Sequence, residues 1–254
     1  MNQTETLGDW LDARPFTLAM SSGFFSFFAH LGMLDALLTR GIVPARVTGS
    51  SAGALVGGCW AAGVAPAELE ERLMALRRQD FWDPAPGPGL LRGDRFRTIL
   101  RELVENTRLE DTAVPFSPSV WSLKQRATLV PDQGELVETL YASCAVPLLF
   151  HPGRLPSGLC WDGGIGDRPG LAATGADEQV FCHHILSRSP WRRRNSPALR
   201  IPQGPQRAAL AIEGLPRSGP GRLDAGRQAL HIAREATARA LDTPLKDGIV
   251  RIRG

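Results

Sequence analysis

The sequence predicts an α/β fold with a mainly parallel central sheet, and two observations carry this prediction. Residues 16–65 alternate between short apolar segments typical of buried strands and segments with apolar residues at helical spacing. This β-α-β-α order requires parallel neighbouring strands joined by right-handed crossovers. The 254 residues, of which 43% are hydrophobic, are sufficient to bury a large core. We expect one domain over residues 1–254.

The N-terminal unit can be assigned element by element. Residues 16–20 (FTLAM) predict a buried strand that runs into a turn at Ser21-Ser22-Gly23. Residues 27–38 have the apolar spacing of a helix. Residues 46–49 predict the second strand, and residues 52–62 predict a helix of small residues that can pack closely against a sheet. The unit therefore contains two strand-to-helix turns.

The later part of the chain continues this alternation. The pattern predicts, in chain order, helices over residues 66–78 and 94–104, a hairpin of strands over 117–123 and 126–130, a helix over 134–143, a strand over 180–186, a helix over 223–241 and an edge strand over 249–252. The segment 81–93 (FWDPAPGPGLLRG) is too rich in proline and glycine for regular structure. It is either a mobile flap or an irregular loop held down by its aromatic residues. Residues 191–222 predict a long surface excursion.

Composition and charge exclude several classes of protein. A formal net charge of +3 is too small to predict nucleic-acid binding. The four cysteines have no CxxC spacing and lie in apolar segments, which predicts buried thiols in a reducing compartment. His183 and His184 are adjacent and would face opposite sides of a strand, so we expect no metal and no cofactor. No signal peptide or transmembrane segment is predicted, and we expect a cytoplasmic protein.

Ser51 lies in the pattern Gly49-Ser50-Ser51-Ala52-Gly53, which is typical of a nucleophile on a strand-to-helix turn. Such a turn needs small residues two positions before and after the serine, because neighbouring backbone approaches closely. Gly49 and Gly53 meet this requirement. The following helix directs its positive end at the site, where the N–H of Ala52 can donate to an oxyanion. The motif alone is weak evidence, because it also occurs by chance.

Two kinds of partner for this serine are compatible with the sequence. An α/β-hydrolase would supply a histidine from the downstream residues His183, His184 and His231. In that fold, however, the serine generally follows more strands than the two found before it here. Alternatively, an aspartate acts directly as the base, and the best candidate is the aspartate of Asp162-Gly163-Gly164. The simpler structural interpretation of these three residues is a type I′ turn.

Four segments together resemble the patatin-like phospholipases. They are residues 16–42 (FTLAMSSGFFSFFAHLGMLDALLTRGI), 47–64 (VTGSSAGALVGGCWAAGV), 141–152 (YASCAVPLLFHP) and 161–169 (WDGGIGDRP). They occur in the family's order, which is more specific than either short motif by itself. The core of the resemblance spans residues 16–188, and residues 189–254 form a divergent C-terminal region.

The resemblance implies a three-layer α/β/α patatin-like fold with a mainly parallel central sheet. It also implies carboxylic ester hydrolysis by a serine–aspartate dyad, with Ser51 as the nucleophile and Asp162 as the base, supported by the motif residues Gly49, Gly53, Gly163 and Gly164. No histidine is implied in the chemistry. His30 matches a histidine common in the family's helix after the first turn, and we interpret it as structural.

The first turn departs from the family pattern Gly-Gly-Gly-x-Arg/Lys-Gly, because it reads SSGFFS over residues 21–26. Backbone donors do not require glycine, so we expect an oxyanion hole formed by the N–H groups of Ser22, Gly23, Phe24 and Ala52. The departure also leaves an alternative, a catalytically weak or inactive relative that binds lipid or a partner. The run FFSFF is either core packing or a wall for an acyl chain.

The expected partner is a lipid ester, with phospholipid or lysophospholipid preferred. The cluster Arg192-Arg193-Arg194 beside Trp191 could contact lipid phosphates, although a solvated loop is the simpler interpretation. We expect a cytoplasmic protein that allows peripheral membrane contact. The sequence does not predict the oligomeric state.

Overall fold

Strands and helices alternate along the chain. The computed structural model describes residues 5–105, 107–187 and 195–254, so the arginine cluster at 192–194 lies outside the described residues. The elements up to residue 104 are α1 (Leu7–Asp12), β1 (Thr17–Met20), α2 (Phe27–Thr39), β2 (Arg46–Ser50), α3 (Ala52–Ala61), α4 (Pro66–Ala75), α5 (Arg78–Phe81), β3 (Gly89–Leu91) and α6 (Asp94–Val104). The later elements are β4 (Phe116–Ser122), β5 (Ala127–Leu129), α7 (Leu136–Cys144), β6 (Leu148–Phe150), β7 (Gly153–Leu155), β8 (Gly158–Asp162), β9 (Val180–His183), β10 (Arg207–Glu213), α8 (Leu223–Leu241) and β11 (Ile249–Arg253).

The central sheet has the strand order β11-β10-β9-β1-β2-β4-β8-β7, with β5 also paired to β4. Every pairing from β11 to β4 is parallel, whereas β5, β7 and β8 are antiparallel additions. The prediction of an α/β fold with a mainly parallel sheet is confirmed. Strands β10 and β11 and helix α8 follow residue 188 and belong to this same sheet and its packing.

The helices share one continuous apolar core with the sheet. Helices α2 and α8 pack against each other over most of their length. At their crossing a Cβ on Gly32 would lie 2.1 Å from the carbonyl oxygen of Leu230, so glycine is needed for this close approach. None of the described helices is both long and apolar enough to cross a bilayer.

Several elements differ from the sequence prediction. Helix α1 and strands β6, β7 and β8 have no counterpart in it, and the helix predicted over residues 66–78 ends at Ala75. Strand β10 lies inside the predicted surface excursion, yet it is buried and pairs with β9 and β11. Its alanine-rich sequence RAALAIE has low strand propensity, and burial on both faces removes the alternation that marks a strand. Strand β3 lies inside the proline-rich segment 81–93, where no regular structure is expected, and pairs with β6.

The rest of the proline-rich segment is tied to its neighbours. The Asp83 carboxylate accepts the backbone N–H groups of Gly93 at 3.0 Å and Arg95 at 3.1 Å. Phe81 is buried, and the guanidinium of Arg78 lies 3.8 Å over the ring of Trp82. Of the two interpretations left open by the sequence, these contacts favour a loop held down by its aromatic residues.

Candidate active site

Strand β4 brings Ser51 and Asp162 to the same point of the sheet. Its first half pairs with β2, so that Ser50 lies opposite Ser119, and its second half pairs with β8, so that Asp162 lies opposite Val120. Ser119 and Val120 are consecutive residues. The ends of β2 and β8 therefore meet, although 111 residues separate the two side chains along the chain.

Ser51 occupies the sharp turn between β2 and α3. Its backbone has φ +53° and ψ −120°, a combination that costs about 1–3 kcal/mol and persists only where the surroundings enforce it. A Cβ at Gly49 would lie 2.7 Å from the carbonyl carbon of Gly53, and one at Gly53 would lie 2.1 Å from the carbonyl oxygen of Met20. The two glycines leave the space that the turn needs.

The hydroxyl of Ser51 donates a hydrogen bond to Oδ2 of Asp162 at 2.6 Å. Both residues are largely buried, with 9% of Ser51 and 7% of Asp162 exposed. The other carboxylate oxygen, Oδ1, accepts the backbone N–H of Gly164 at 2.8 Å. The carboxylate is thus held in place by one oxygen while the other faces the serine.

The glycines after Asp162 serve close packing. Neither Gly163 nor Gly164 has a positive φ, so the type I′ interpretation of this motif is wrong. A Cβ at Gly163 would lie 2.1 Å from the carbonyl oxygen of Ser119, and one at Gly164 would lie 2.4 Å from Oγ of Ser22. The chain instead enters a short 3-10 turn over Gly163–Ile165, which keeps the carboxylate beside the serine.

The first turn offers fewer donors than the sequence suggests. The N–H of Ser22 donates to the carbonyl oxygen of Arg168 at 2.7 Å, so this amide is occupied and cannot serve an oxyanion in this conformation. Gly23, Phe24 and Ala52 all line the same cavity as Ser51. Among the described residues, the N–H groups of Gly23 and Ala52 have no hydrogen-bond acceptor. Ala52 begins α3, whose positive end faces the serine.

The histidines considered as partners lie elsewhere. Nδ1 of His183 is 2.9 Å from Nδ1 of His30, and Nε2 of His184 is 3.1 Å from the guanidinium of Arg168. His231 is an exposed residue of α8. Burial lowers the pKa of His30 and of His184 from 6.5 to about 4, and it lowers the pKa of His183 well below 6.5. The Ser51 hydroxyl bonds to a carboxylate, whereas His183 and His184 have other partners and His231 is exposed.

A cavity of about 700 Å³ opens onto Ser51 and Asp162, and we call it the Ser51 cavity. Its lining is mainly apolar and comes from α3, α4, α6 and the segment after α7; it includes Leu55, Leu69, Leu73, Phe96, Leu100, Leu103, Val146 and Leu149. Charged side chains of the lining include Arg72 and Glu102, which form an ion pair with each other. The described residues contain no cluster of His, Cys, Asp or Glu arranged to hold a metal ion.

The FFSFF run divides between two environments. Phe28 is fully buried in the core, whereas Phe24, Phe25 and Phe27 are half-buried and line the Ser51 cavity. Phe25 has a positive φ of 56°, and its ring centroid lies 5.7 Å from that of Phe81. An aromatic cluster therefore stands where the family pattern has a basic residue.

Two residues at the end of α7 hold the turn and were not singled out from the sequence. The N–H of Ser51 donates to Oγ of Ser143 at 3.0 Å, and the thiol of Cys144 lies 3.3 Å from the carbonyl oxygen of Ser51. Burial, and then the charge of Asp162, raises the pKa of Cys144 well above its usual value, so this thiol stays protonated and donates. Their position in the segment YASCAVPLLFHP was the available signal.

Comparison with known proteins identifies the family of this chain. The family model described as patatin-like phospholipase matches residues 18–173, more than half of the chain, and the match includes both Ser51 and Asp162. The chain belongs to the patatin-like phospholipase family. Family membership supports lipid hydrolysis as the general chemistry.

Curated relatives and a solved structure extend the patatin-like assignment. Uncharacterized NTE family proteins of Mycobacterium bovis and Mycobacterium tuberculosis are 31% identical over 153 residues, which is 59% of this chain and 42% of each relative. The chain thus spans less than half the length of these relatives. The crystal structure of VipD from Legionella pneumophila has a TM-score of 0.67 at 16% identity, covering 91% of this chain and 67% of VipD. At that identity the likeness concerns the patatin-like fold alone.

Proposed function

We propose that this patatin-like protein is a serine acyl hydrolase that cleaves lipid esters with Ser51 as nucleophile and Asp162 as base. The observation that carries the proposal is the 2.6 Å hydrogen bond from the Ser51 hydroxyl to Asp162 at the wall of an apolar cavity. A nucleophile and base in direct contact, beside space for an apolar substrate, meet the geometric requirement for covalent acyl transfer.

The reaction follows from this contact. Asp162 accepts the hydroxyl proton while Oγ of Ser51 attacks the ester carbonyl carbon, and the carbonyl oxygen becomes an oxyanion. The N–H groups of Gly23, Phe24 and Ala52 are the proposed donors to that oxyanion. As the tetrahedral intermediate collapses, the C–O bond breaks and protonated Asp162 returns its proton to the leaving alcohol. The same carboxylate then activates the water that hydrolyses the acyl-enzyme.

Burial supports this use of a carboxylate as base. With 9% of Ser51 and 7% of Asp162 exposed, little bulk water competes for the hydrogen bond between them. Charges and dipoles also interact more strongly where water is excluded, which strengthens the effect of the oxyanion donors. No histidine is needed as an intermediate proton carrier.

The cavity supports a long-chain ester as substrate. The lining is mainly apolar, so each methylene group of an acyl chain that is buried there stabilises binding by roughly 0.8 kcal/mol. A volume of about 700 Å³ lies within the range of pockets that enclose a small molecule, which favours one acyl chain at a time. Among lipid esters we propose a phospholipid or lysophospholipid.

Exposed apolar residues near the cavity support peripheral contact with a lipid surface. Leu148 is 84% exposed, and its neighbours Pro147 and Leu149 line the Ser51 cavity. Leu90, on the strand paired with β6, is 48% exposed, and Ile165 of the cavity lining is 39% exposed. Apolar groups in such a position can contact lipid while an ester enters. We propose a cytoplasmic location, which the four buried free cysteines support.

A catalytically weak or inactive lipid-binding relative is the second candidate. The observation in its favour is the first turn, where the N–H of Ser22 is already bonded to Arg168. Loss of one oxyanion donor typically lowers the rate by about 10²–10³-fold. Under this candidate the Ser51 cavity still binds acyl chains, while turnover stays at the background rate.

The test compares three variants with the wild type on a short-chain p-nitrophenyl ester and on a lysophospholipid. Ser51→Ala should abolish turnover and labelling by a fluorophosphonate probe, and Asp162→Asn should lower kcat by about 10²–10⁴-fold. Ser50→Ala is the matched control, because Ser50 is the neighbouring buried serine and its hydroxyl has no partner among the described residues. It should keep wild-type turnover.

Other results would decide against the proposal. Wild-type turnover by Ser51→Ala would exclude Ser51 as the nucleophile. A wild type that binds a fluorescent fatty acid but neither labels nor turns over would favour the second candidate. Loss of activity on replacing His183, His184 or His231 alone, with Asp162→Asn active, would exclude the dyad.

A further inference from the structure

Two buried histidines contact each other beside the first turn. His30 lies on α2 and His183 ends β9, and their Nδ1 atoms are 2.9 Å apart. Nε2 of His30 lies 2.8 Å from the carbonyl oxygen of Ser21, which immediately follows β1. Neither ring touches Ser51 through these bonds, yet the pair adjoins the segment that lines the Ser51 cavity.

The contacts determine which nitrogen of each ring carries the proton. A carbonyl oxygen only accepts, so Nε2 of His30 must be the donor to Ser21. Nδ1 of neutral His30 is then an acceptor, and Nδ1 of His183 must donate to it. Nε2 of His183 is left as a bare nitrogen, and it is buried with no partner among the described residues. One backbone carbonyl thus sets the tautomers of both rings.

The bond from His30 holds one end of a single peptide unit. The carbonyl of Ser21 accepts from His30, and the N–H of Ser22, which belongs to the same peptide, donates to the carbonyl oxygen of Arg168 at 2.7 Å. The next N–H along the chain is that of Gly23, a proposed oxyanion donor. With the first peptide fixed, only φ and ψ of Ser22 determine where the Gly23 N–H points.

We propose that His30 is a positioning residue, which orients the Gly23 N–H toward the oxyanion by fixing the Ser21–Ser22 peptide, while His183 donates to its Nδ1. This rests on the proposed hydrolase function. Other bonds hold Ser21 as well: its N–H donates to the carbonyl oxygen of His183 at 3.2 Å, and its Oγ accepts from Ile185 at 2.9 Å. These contacts hold the residue in place, whereas the His30 bond acts on the peptide that leads into Gly23.

The test compares two substitutions of His30 that differ in their ability to donate a hydrogen bond to the carbonyl oxygen of Ser21. His30→Leu removes the donor, whereas His30→Gln places an amide N–H near the position of the lost Nε2. We expect His30→Leu to lower kcat about 10–10²-fold with little change in KM, because a misplaced donor weakens the transition state more than substrate binding. His30→Gln should recover most of that loss.

A control variant tests whether His30 affects turnover only by stabilising the fold. Leu230 is fully buried on α8 and packs in the same core as α2. Leu230→Ala should lose stability while keeping the wild-type kcat of the folded protein. If Leu230→Ala at equal stability loss lowers kcat as much as His30→Leu, or if His30→Gln is no better than His30→Leu, the positioning role is overturned.

Two measurements separate failure of this inference from failure of the proposed function. Wild-type turnover by Ser51→Ala would refute the hydrolase mechanism, whereas an inactive Ser51→Ala with a fully active His30→Leu would refute only the role of His30. The ¹⁵N chemical shifts of the wild-type imidazoles give a test that needs no variant. We expect His30 protonated at Nε2 and His183 at Nδ1, and the opposite tautomers would overturn the inference whatever the activity.

Discussion

The backbone N–H of Ser51 donates to Oγ of Ser143 at 3.0 Å, and that same hydroxyl donates to the carbonyl oxygen of Ser119 at 2.8 Å. One side chain from α7 therefore connects the turn after β2 to the neighbouring strand β4. This connection holds Ser51 in a backbone conformation that few non-glycine residues adopt.

Ser143→Ala should lower both stability and turnover. The substitution leaves the buried N–H of Ser51 without its acceptor, at a cost of about 1–3 kcal/mol, and releases the strained turn. We expect kcat to fall about tenfold with a smaller change in KM. Ser122→Ala is the control, because Ser122 is a fully buried serine of β4 whose hydroxyl accepts the N–H of Gln125 and contacts neither Ser51 nor Asp162 among the described hydrogen bonds. Denaturant unfolding and steady-state kinetics measure both effects, and equal kinetics for the two variants would contradict the prediction.

Gly53→Ala should disrupt the turn even though alanine favours helices. The new Cβ would lie 2.1 Å from the carbonyl oxygen of Met20, so β1 and α3 must move apart. We expect urea unfolding to show a loss of stability of about 1–3 kcal/mol, which is typical of overpacking. Turnover should be lost as well. At Gly221 a Cβ would meet no atom within 4 Å, so Gly221→Ala should leave both properties unchanged. A stable and active Gly53→Ala would show that the close approach is not required.

Acidification should destabilise the protein through its buried histidines. The pKa of His30 and that of His184 fall from 6.5 to about 4 on folding, mainly because of burial, and the pKa of His183 falls well below 6.5. Between pH 6.5 and pH 4 the unfolded chain therefore binds protons that the folded chain excludes. The free energy of unfolding should decrease as pH falls through this interval, by about 1.4 kcal/mol for each unit of pKa difference.

The contribution of one histidine can be isolated. His184→Gln should reduce the slope of the unfolding free energy against pH in the same interval. The reduction should correspond to up to one bound proton, because the unfolded variant has no ring to protonate at this position. Subtracting the unfolding free energy of the variant from that of the wild type at each pH cancels the contribution of the carboxyl groups, which titrate in both proteins. Identical pH profiles for the two proteins would mean that His184 is protonated to the same extent in both states.

Narrowing the Ser51 cavity should shorten the preferred acyl chain. Leu73 lies on α4, is 7% exposed and lines the cavity. Leu73→Trp adds volume to that wall, so kcat/KM for a long-chain p-nitrophenyl ester should fall by tenfold or more, while the value for an acetyl or butyryl ester should change little. An equal decrease for all chain lengths would indicate damage to the fold or to the reacting groups, and no change would place the acyl chain elsewhere.

Leu148 should contribute to binding of lipid surfaces. Its side chain is 84% exposed on a backbone with φ +68°, an unfavourable combination for leucine in water. Leu148→Ser should weaken sedimentation with phospholipid vesicles severalfold and lower turnover of vesicle-borne substrate, with turnover of a soluble short-chain ester unchanged. Val43→Ser is the control, because Val43 is 59% exposed but neither it nor its chain neighbours line the cavity. Equal vesicle binding by both variants and the wild type would contradict this prediction.

Sequence alone determined the parallel core, which depends on local patterns, and it predicted the candidate residues Ser51 and Asp162. Short apolar segments alternating with helical ones specify β1, α2, β2 and α3, and glycines around a serine or after an aspartate mark turns where backbone approaches closely. The resemblance to a family placed Ser51 and Asp162 in one site before any distance was known.

Tertiary structure alone decided features that depend on partners distant in the chain. Strand β10 becomes a strand because β9 and β11 supply its hydrogen bonds, which its alanine-rich sequence does not reveal. The N–H of Ser22 was expected to serve an oxyanion, but the carbonyl of Arg168 accepts it. A backbone amide has the same chemistry at every position, so only the packing of distant segments determines which amides remain available for a substrate.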